Sequence, residues 1–254
     1  MKHDCQPVLG ARISVLGWDQ AIAQLLDWGA RRAMRYICLC NVHSVVTSSR
    51  NPQFRSVINN ADLAAPDGAP VAWAVGRLAG RRQERINGPD LMERYMEAAQ
   101  ECGQSIYLYG GSEATLAALQ QTIRRRYPRL RIAGAHAPPF RALSAEEDQA
   151  AVDAINDSGA NMVFVGLGCP KQELWMGAHC GRIAAPMAGV GAAFDYHAGL
   201  LKRAPPWWRR HGLEWLHRLG QEPRRLARRY LVTNTLFIVG MARQLFAGRV
   251  DGPP

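Results

Sequence analysis

Pro66-Asp67-Gly68 puts a carboxylate on a tight turn after an apolar run, where it could take a proton from an attacking hydroxyl. Asp-Gly turns are common, so alone the motif reads as a plain turn. Gly166-Leu-Gly-Cys-Pro-Lys-Gln-Glu173 is a glycine-rich passage from a strand into a helix. Backbone N–H groups around Gly166 and Gly168, the helix dipole and Lys171 could hold a diphosphate there, with Gln172 and Glu173 directly behind. It matches neither a Walker A loop nor GxGxxG, and the bland alternative is close packing of the turn. Gly110-Gly111-Ser112 is a second such turn with the same ambiguity. Arg85, in the polar loop Glu84 to Asp90, could grip a phosphate bidentately, although a solvated surface arginine is the commoner case. Asp195 closes Gly189-Val-Gly-Ala-Ala-Phe-Asp195 and could bind a sugar or ribose hydroxyl, or cap the next turn. Asn41 and His43 follow another strand-like run. His43 and His197 are more often satisfied structural histidines than ligands. Asp4, Asp19, Asp148 and Asp153 read as solvated face residues. No Asp-x-Asp stands at a strand end, the histidines lack zinc spacing, and no metal or other cofactor is expected.

The elements that must position these residues alternate. Tyr36 to Cys40, Ala61 to Ala65, Ser105 to Tyr109, Arg131 to Gly134, Asn161 to Gly166 and Ala185 to Val190 read as strands. Between them lie helices: from Val42 toward Arg50, at Leu91, from the N-cap Ser112 to Tyr127, from the capping box Ser144-Ala-Glu-Glu147 to about Ser158, and on to about Arg182. This alternation argues for an α/β fold with a largely parallel sheet flanked by helices. Ligands of such sheets bind beyond the carboxyl ends of the strands, where Asn41, His43, Asp67, Gly110 to Ser112, Gly166 to Gln172 and Asp195 fall. Past Gly199 the alternation stops. Arg203-Ala-Pro-Pro-Trp-Trp is expected to break regular structure, and two helical segments split by Pro223 follow.

Charge divides the chain at the same place. Residues Gly199 to Pro254 carry 11 Lys/Arg against 3 Asp/Glu, a net of +8 out of +10 for all 254 residues. The same stretch holds Trp207, Trp208 and Trp215, and an apolar run from Leu231 to Ala242 between Arg228-Arg229 and Arg243. Basic groups beside tryptophan and a short apolar stretch suit an anionic membrane surface, with a nucleic-acid surface the weaker alternative. That run is well short of the roughly 20 residues needed to span a bilayer, so the chain is expected to touch a membrane without crossing it. Met1 to Gly10 lacks the apolar core of a signal peptide. Six scattered cysteines without a CxxC fit a reducing cytoplasm rather than a disulfide framework. The expected organisation is a core, 1–198, and a basic helical appendage, 199–254.

Taken in order, several segments resemble the WecG/TagA/CpsF glycosyltransferase family: Asn41-Val-His-Ser, Asp62-Leu-Ala-Ala-Pro-Asp-Gly68, Glu84-Arg-Ile-Asn-Gly-Pro-Asp-Leu91 and Tyr107-Leu-Tyr-Gly-Gly111. Pro138-Pro-Phe-Arg141, Val165 to Glu173, Gly189 to Asp195, Arg203-Ala-Pro, Gly212-Leu-Glu-Trp-Leu-His-Arg218 and Glu222-Pro-Arg-Arg225 continue it over most of the chain. The resemblance implies a Rossmann-like core and an inverting hexosyltransferase. Such an enzyme moves N-acetylmannosamine or a relative from a UDP-sugar to a polyprenyl-diphosphate-linked sugar on the cytoplasmic membrane face. It implies Asp67 as the base, no metal, and an appendage that closes over the site and docks on the membrane. Leu39 stands where many members carry threonine, and Asn41-Val-His43 resembles the exopolysaccharide-type members.

The acceptor hydroxyl has a pKa far above 7, so Asp67 would take its proton as the new bond forms. Negative charge growing on the leaving UDP needs positive groups, for which Arg85, Arg218, Arg225 and Arg228 are the candidates. If helical, the last three share roughly one side, at spacings of seven and three, with Pro223 a break that would disturb that register. Self-association into a homo-oligomer is compatible with the sequence. Rival readings are a Rossmann-type oxidoreductase, which the missing GxGxxG disfavours, and a non-catalytic basic membrane- or nucleic-acid-binding module.

Overall fold

The computed structural model describes residues 4–250, with side chains through Phe246. Residues 1–3 of the N-terminal stretch and residues 251–254 of the expected appendage lie outside the described residues.

The chain opens with an antiparallel hairpin, β1 (Cys5–Val8) and β2 (Ala11–Ser14), ahead of α1 (Trp18–Ala30). β3 (Tyr36–Cys40) is buried at all five positions. Asn41 then starts α2 (Val42–Arg50) through a reciprocal capping box with Ser44, and Asn51 caps α3 (Pro52–Asn60). β4 (Leu63–Pro66) runs into Asp67, followed by α4 (Ala69–Ala79) and α5 (Gly88–Glu101), the latter capped by Asn87. β5 (Ser105–Gly110), α6 (Glu113–Arg126), β6 (Arg131–His136), α7 (Ala145–Asp157) and β7 (Met162–Gly166) continue the alternation, with Ser112 and Ser144 as N-caps. α8 (Lys171–His179) ends short of Arg182, because Cys180 leaves helical geometry. β8 (Met187–Gly189) and α9 (Ala193–His197) complete the alternation.

Among the described residues, six strands form one parallel sheet in the order β4-β3-β8-β7-β5-β6. Helices bury both of its faces, which is why its strands read as continuous apolar runs. On one face Val45, Phe54, Val71, Val152 and Met176 join a core that draws on α2, α3, α4, α7 and α8. On the other, Leu25, Leu91, Tyr95, Leu119 and Phe194 do the same for α1, α5, α6 and α9.

The basic stretch forms α10 (Pro206–Arg210), α11 (Glu214–Gln221) and α12 (Pro223–Val250). Irregular structure past Arg203 is therefore shorter than expected: Pro206 sits in the first turn of α10, where its missing N–H costs nothing. Pro223 separates the next two helices, as its chemistry requires. α12 is amphipathic in a way the apolar run conceals. Leu226, Phe237 and Met241 are buried, the last two within the core shared with β1 and α2, whereas Leu231, Val232 and Val239 face outward. Gln244 accepts a hydrogen bond from the Leu9 backbone at 3.0 Å, tying the far end of α12 to the hairpin. Met241→Ala should lower unfolding free energy by about 2–5 kcal/mol, read from urea unfolding. An unchanged midpoint would mean that α12 is not docked on this core.

Candidate active site

A cavity of about 940 Å³ lies over the carboxyl ends of the strands, walled on its far side by α11 and α12. Asp67 sits on its floor. The Asp67 N–H donates to the Cys40 carbonyl at 3.0 Å, and the Ile86 N–H to the Pro66 carbonyl at 2.9 Å. These two bonds set the β4 end between β3 and the segment bearing Arg85. Asn41 has two tasks: its Oδ1 caps α2 at Ser44 N, 3.2 Å away, and its Nδ2 donates to Asp67 Oδ2 at 3.4 Å. Burial pushes the Asp67 carboxyl up to about 6; Arg85 opposes this, Glu214 adds to it, and Asn41 and Arg218 oppose it. The group is therefore mainly ionised at neutral pH while staying a stronger base than a solvated carboxylate.

Across the floor, the glycine-rich turn is shaped by its own helix. Gln172 Oε1 accepts from Gly168 N at 3.2 Å, and Gln172 Nε2 donates to Glu173 Oε1 at 3.0 Å. Gln172 and Glu173 are buried, and burial raises the Glu173 carboxyl above its usual range. Lys171 stands exposed at the rim, at the first turn of α8. Asp195, on α9, is half-buried; burial raises its carboxyl while Arg218 draws it down.

The appendage contributes charge in two ways. Arg85 Nη2 lies 2.8 Å from Glu214 Oε2, and both side chains are largely buried. Arg203 Nη2 lies 2.5 Å from Asp90 Oδ1, its Nε 3.6 Å from Glu214 Oε1, and it donates to Asn87 Oδ1 at 3.3 Å. These contacts seat the appendage on the core. Arg218, Arg225 and Arg229 line the cavity itself, and Glu222 pairs with the first two.

Of the residues picked out from sequence, Asp67, Asn41, His43, Arg85, Gly111, Gly166, Gly168, Lys171, Gln172, Glu173, Asp195, Arg218 and Arg225 all line this cavity. Two do not. Gly110 stands behind the wall, with φ of +116° and room for no Cβ: one would lie 2.7 Å from the Gly166 carbonyl carbon. Its role is close approach of two strand ends. Arg228 is exposed and does not line the cavity; Arg229 takes the place expected for it. The break at Glu222 is not the cause, since Arg218 and Arg225 on either side of it both line the cavity; within α12 the step from Arg225 that reaches it is four residues rather than three. Sequence reasoning also passed over Glu214 and Arg203 as individual residues, and treated Phe140 only as part of a motif. Phe140 is 90% exposed at the cavity rim. A helical reading anchored on Leu226, Tyr230, Thr233 and Phe237 would have found Arg229.

A buried carboxylate facing arginines across a wide cavity at the strand ends has the chemistry to take up a proton and to hold a phosphate-bearing ligand. The chain belongs to the WecG/TagA/CpsF glycosyltransferase family, whose model matches residues 6–251. Membership implies a nucleotide-sugar donor and an acceptor. Arg229→Ala should weaken binding of a nucleoside diphosphate about tenfold, whereas Arg228→Ala should leave it within about twofold, measured by calorimetry. Equal losses would place the inner face of α12 elsewhere.

Proposed function

We propose that this glycosyltransferase is an inverting hexosyltransferase that moves N-acetylmannosamine or a related hexose from a UDP-sugar to a polyprenyl-diphosphate-linked sugar. The observation that carries this reading is the opposition of one basic carboxylate, Asp67, to the arginine wall of Arg85, Arg218, Arg225 and Arg229. Asp67 removes the acceptor proton as the hydroxyl attacks the anomeric carbon from the face opposite UDP. A single displacement leaves the centre inverted. The arginines take up charge on the departing diphosphate without a metal. Leu39 lines the cavity and offers no hydroxyl, which fits the exopolysaccharide-type reading of the donor site.

The division into a core of 1–198 and an appendage of 199–254 is part of the same proposal. The appendage closes the cavity with its inner face and meets the cytoplasmic membrane surface with its outer one. Trp207, Leu231, Val232 and Val239 are exposed there beside basic residues. Among the described residues, no helix is long and apolar enough to cross a membrane.

Asp67→Ala should cut sugar transfer by about 10²–10⁴-fold while donor binding persists. In the unaltered enzyme, kcat/KM should rise through a pKa of about 6, since the ionised form is the base. Retained turnover would remove Asp67 from that role. Leu231→Glu with Val239→Glu should abolish flotation with anionic vesicles but spare transfer to a short, water-soluble acceptor. Undiminished flotation would place the membrane face elsewhere.

A further inference from the structure

Arg85 and Asp67 leave neighbouring backbone, since the Ile86 N–H binds the Pro66 carbonyl at 2.9 Å. Both line the cavity, and opposite charges so placed would ordinarily form an ion pair. They do not. Among the described residues no cation lies within ion-pair distance of the Asp67 carboxylate; its hydrogen bond comes from Asn41 at 3.4 Å. The Arg85 guanidinium turns instead to Glu214 of α11, at 2.8 Å. Glu214 is held in turn by Arg203, which Asp90 and Asn87 anchor to α5.

Resting on the reading of Asp67 as base, we propose that Glu214 is a positioning residue: it occupies Arg85, keeps that guanidinium from pairing with Asp67, and so makes basicity at Asp67 depend on a seated appendage. One Nη of Arg85 is committed to Glu214, leaving the other donors of the fork for a phosphate. Were Glu214 absent, Arg85 would find its nearest anion in Asp67, and an ion-paired carboxylate is a poor base. The remaining groups facing Asp67 do not replace this control. Arg218 of α11 stabilises its charge, Asn41 donates to it, and Glu173 of α8, Cys40 of β3 and Tyr230 of α12 feel its charge without pairing with it.

This assigns the appendage a task beyond covering the cavity. A displaced α11 would remove Glu214 from Arg85, and the enzyme would lose its base together with its lid. Hydrolysis of the donor by water in an open site would be suppressed by the same movement.

The test is the pH dependence of kcat/KM in the full chain for the wild type and for Glu214→Gln, Glu214→Asp and Asp67→Asn, with thermal unfolding beside it. Glu214→Gln keeps the shape and loses the charge. Its acid limb should move down by about one pH unit or more. Its plateau kcat should fall about tenfold with little change in donor KM, and Glu214→Asp should recover most of both. An unmoved acid limb in Glu214→Gln would overturn the assignment, whether activity stays or falls together with thermal stability. Turnover by Asp67→Asn would overturn the underlying base assignment, through a separate readout.

Discussion

Burial of both faces of a parallel sheet confines polar chemistry to the strand ends, and the organisation of this molecule follows from that constraint. β3, β4, β7 and β8 are apolar along almost their whole length, so Asn41, Asp67 and the turn at Gly166 to Gln172 emerge only where the strands stop. Backbone bonds between adjacent strand ends then place them together. The sheet's order brings β3, β8 and β7 side by side at its centre, so residues far apart in sequence share one floor. What the sheet cannot supply is a roof, and α11 and α12 provide it.

The roof brings most of the positive charge with it. A strongly basic segment over a nearly neutral core would be expected to repel itself and to hold other anions loosely. The contacts show a division instead. Arg203 is spent on Asp90 and Glu214, securing the appendage, while Arg218, Arg225 and Arg229 line the cavity, where a diphosphate would meet them. Arg228 remains outside with the exposed apolar stripe. One helix thus presents two different faces, a basic one lining the cavity and an apolar one exposed on the outside.

Much of this was legible in the residues. Strong, local signals survived intact: the capping box at Ser144, the N-cap at Ser112, the buried strand at Tyr36 to Cys40, and Asp67 at a strand end. The β1–β2 hairpin was missed because its four-residue strands gain their burial from α4, α3 and β4, contacts that no local window contains. Gly110 was assigned to ligand binding because a glycine needed for strand approach and one needed for phosphate approach look alike in sequence. Arg228 was chosen on a three-residue step from Arg225, whereas within the same helix the cavity lies along the four-residue step to Arg229. Glu214 escaped notice for a different reason. An acid in a basic segment reads as incidental until its partner, 129 positions away, is seen.

Everything mechanistic above depends on a single carboxylate acting as base, with no covalent intermediate on the protein. The anomeric configuration of the transferred sugar reports on this directly. With UDP-N-acetylmannosamine or a related donor and a short polyprenyl-diphosphate-sugar acceptor, NMR of the isolated product should show the new linkage inverted relative to the donor. Retention would require a nucleophile in place of a base and would contradict the role given to Asp67.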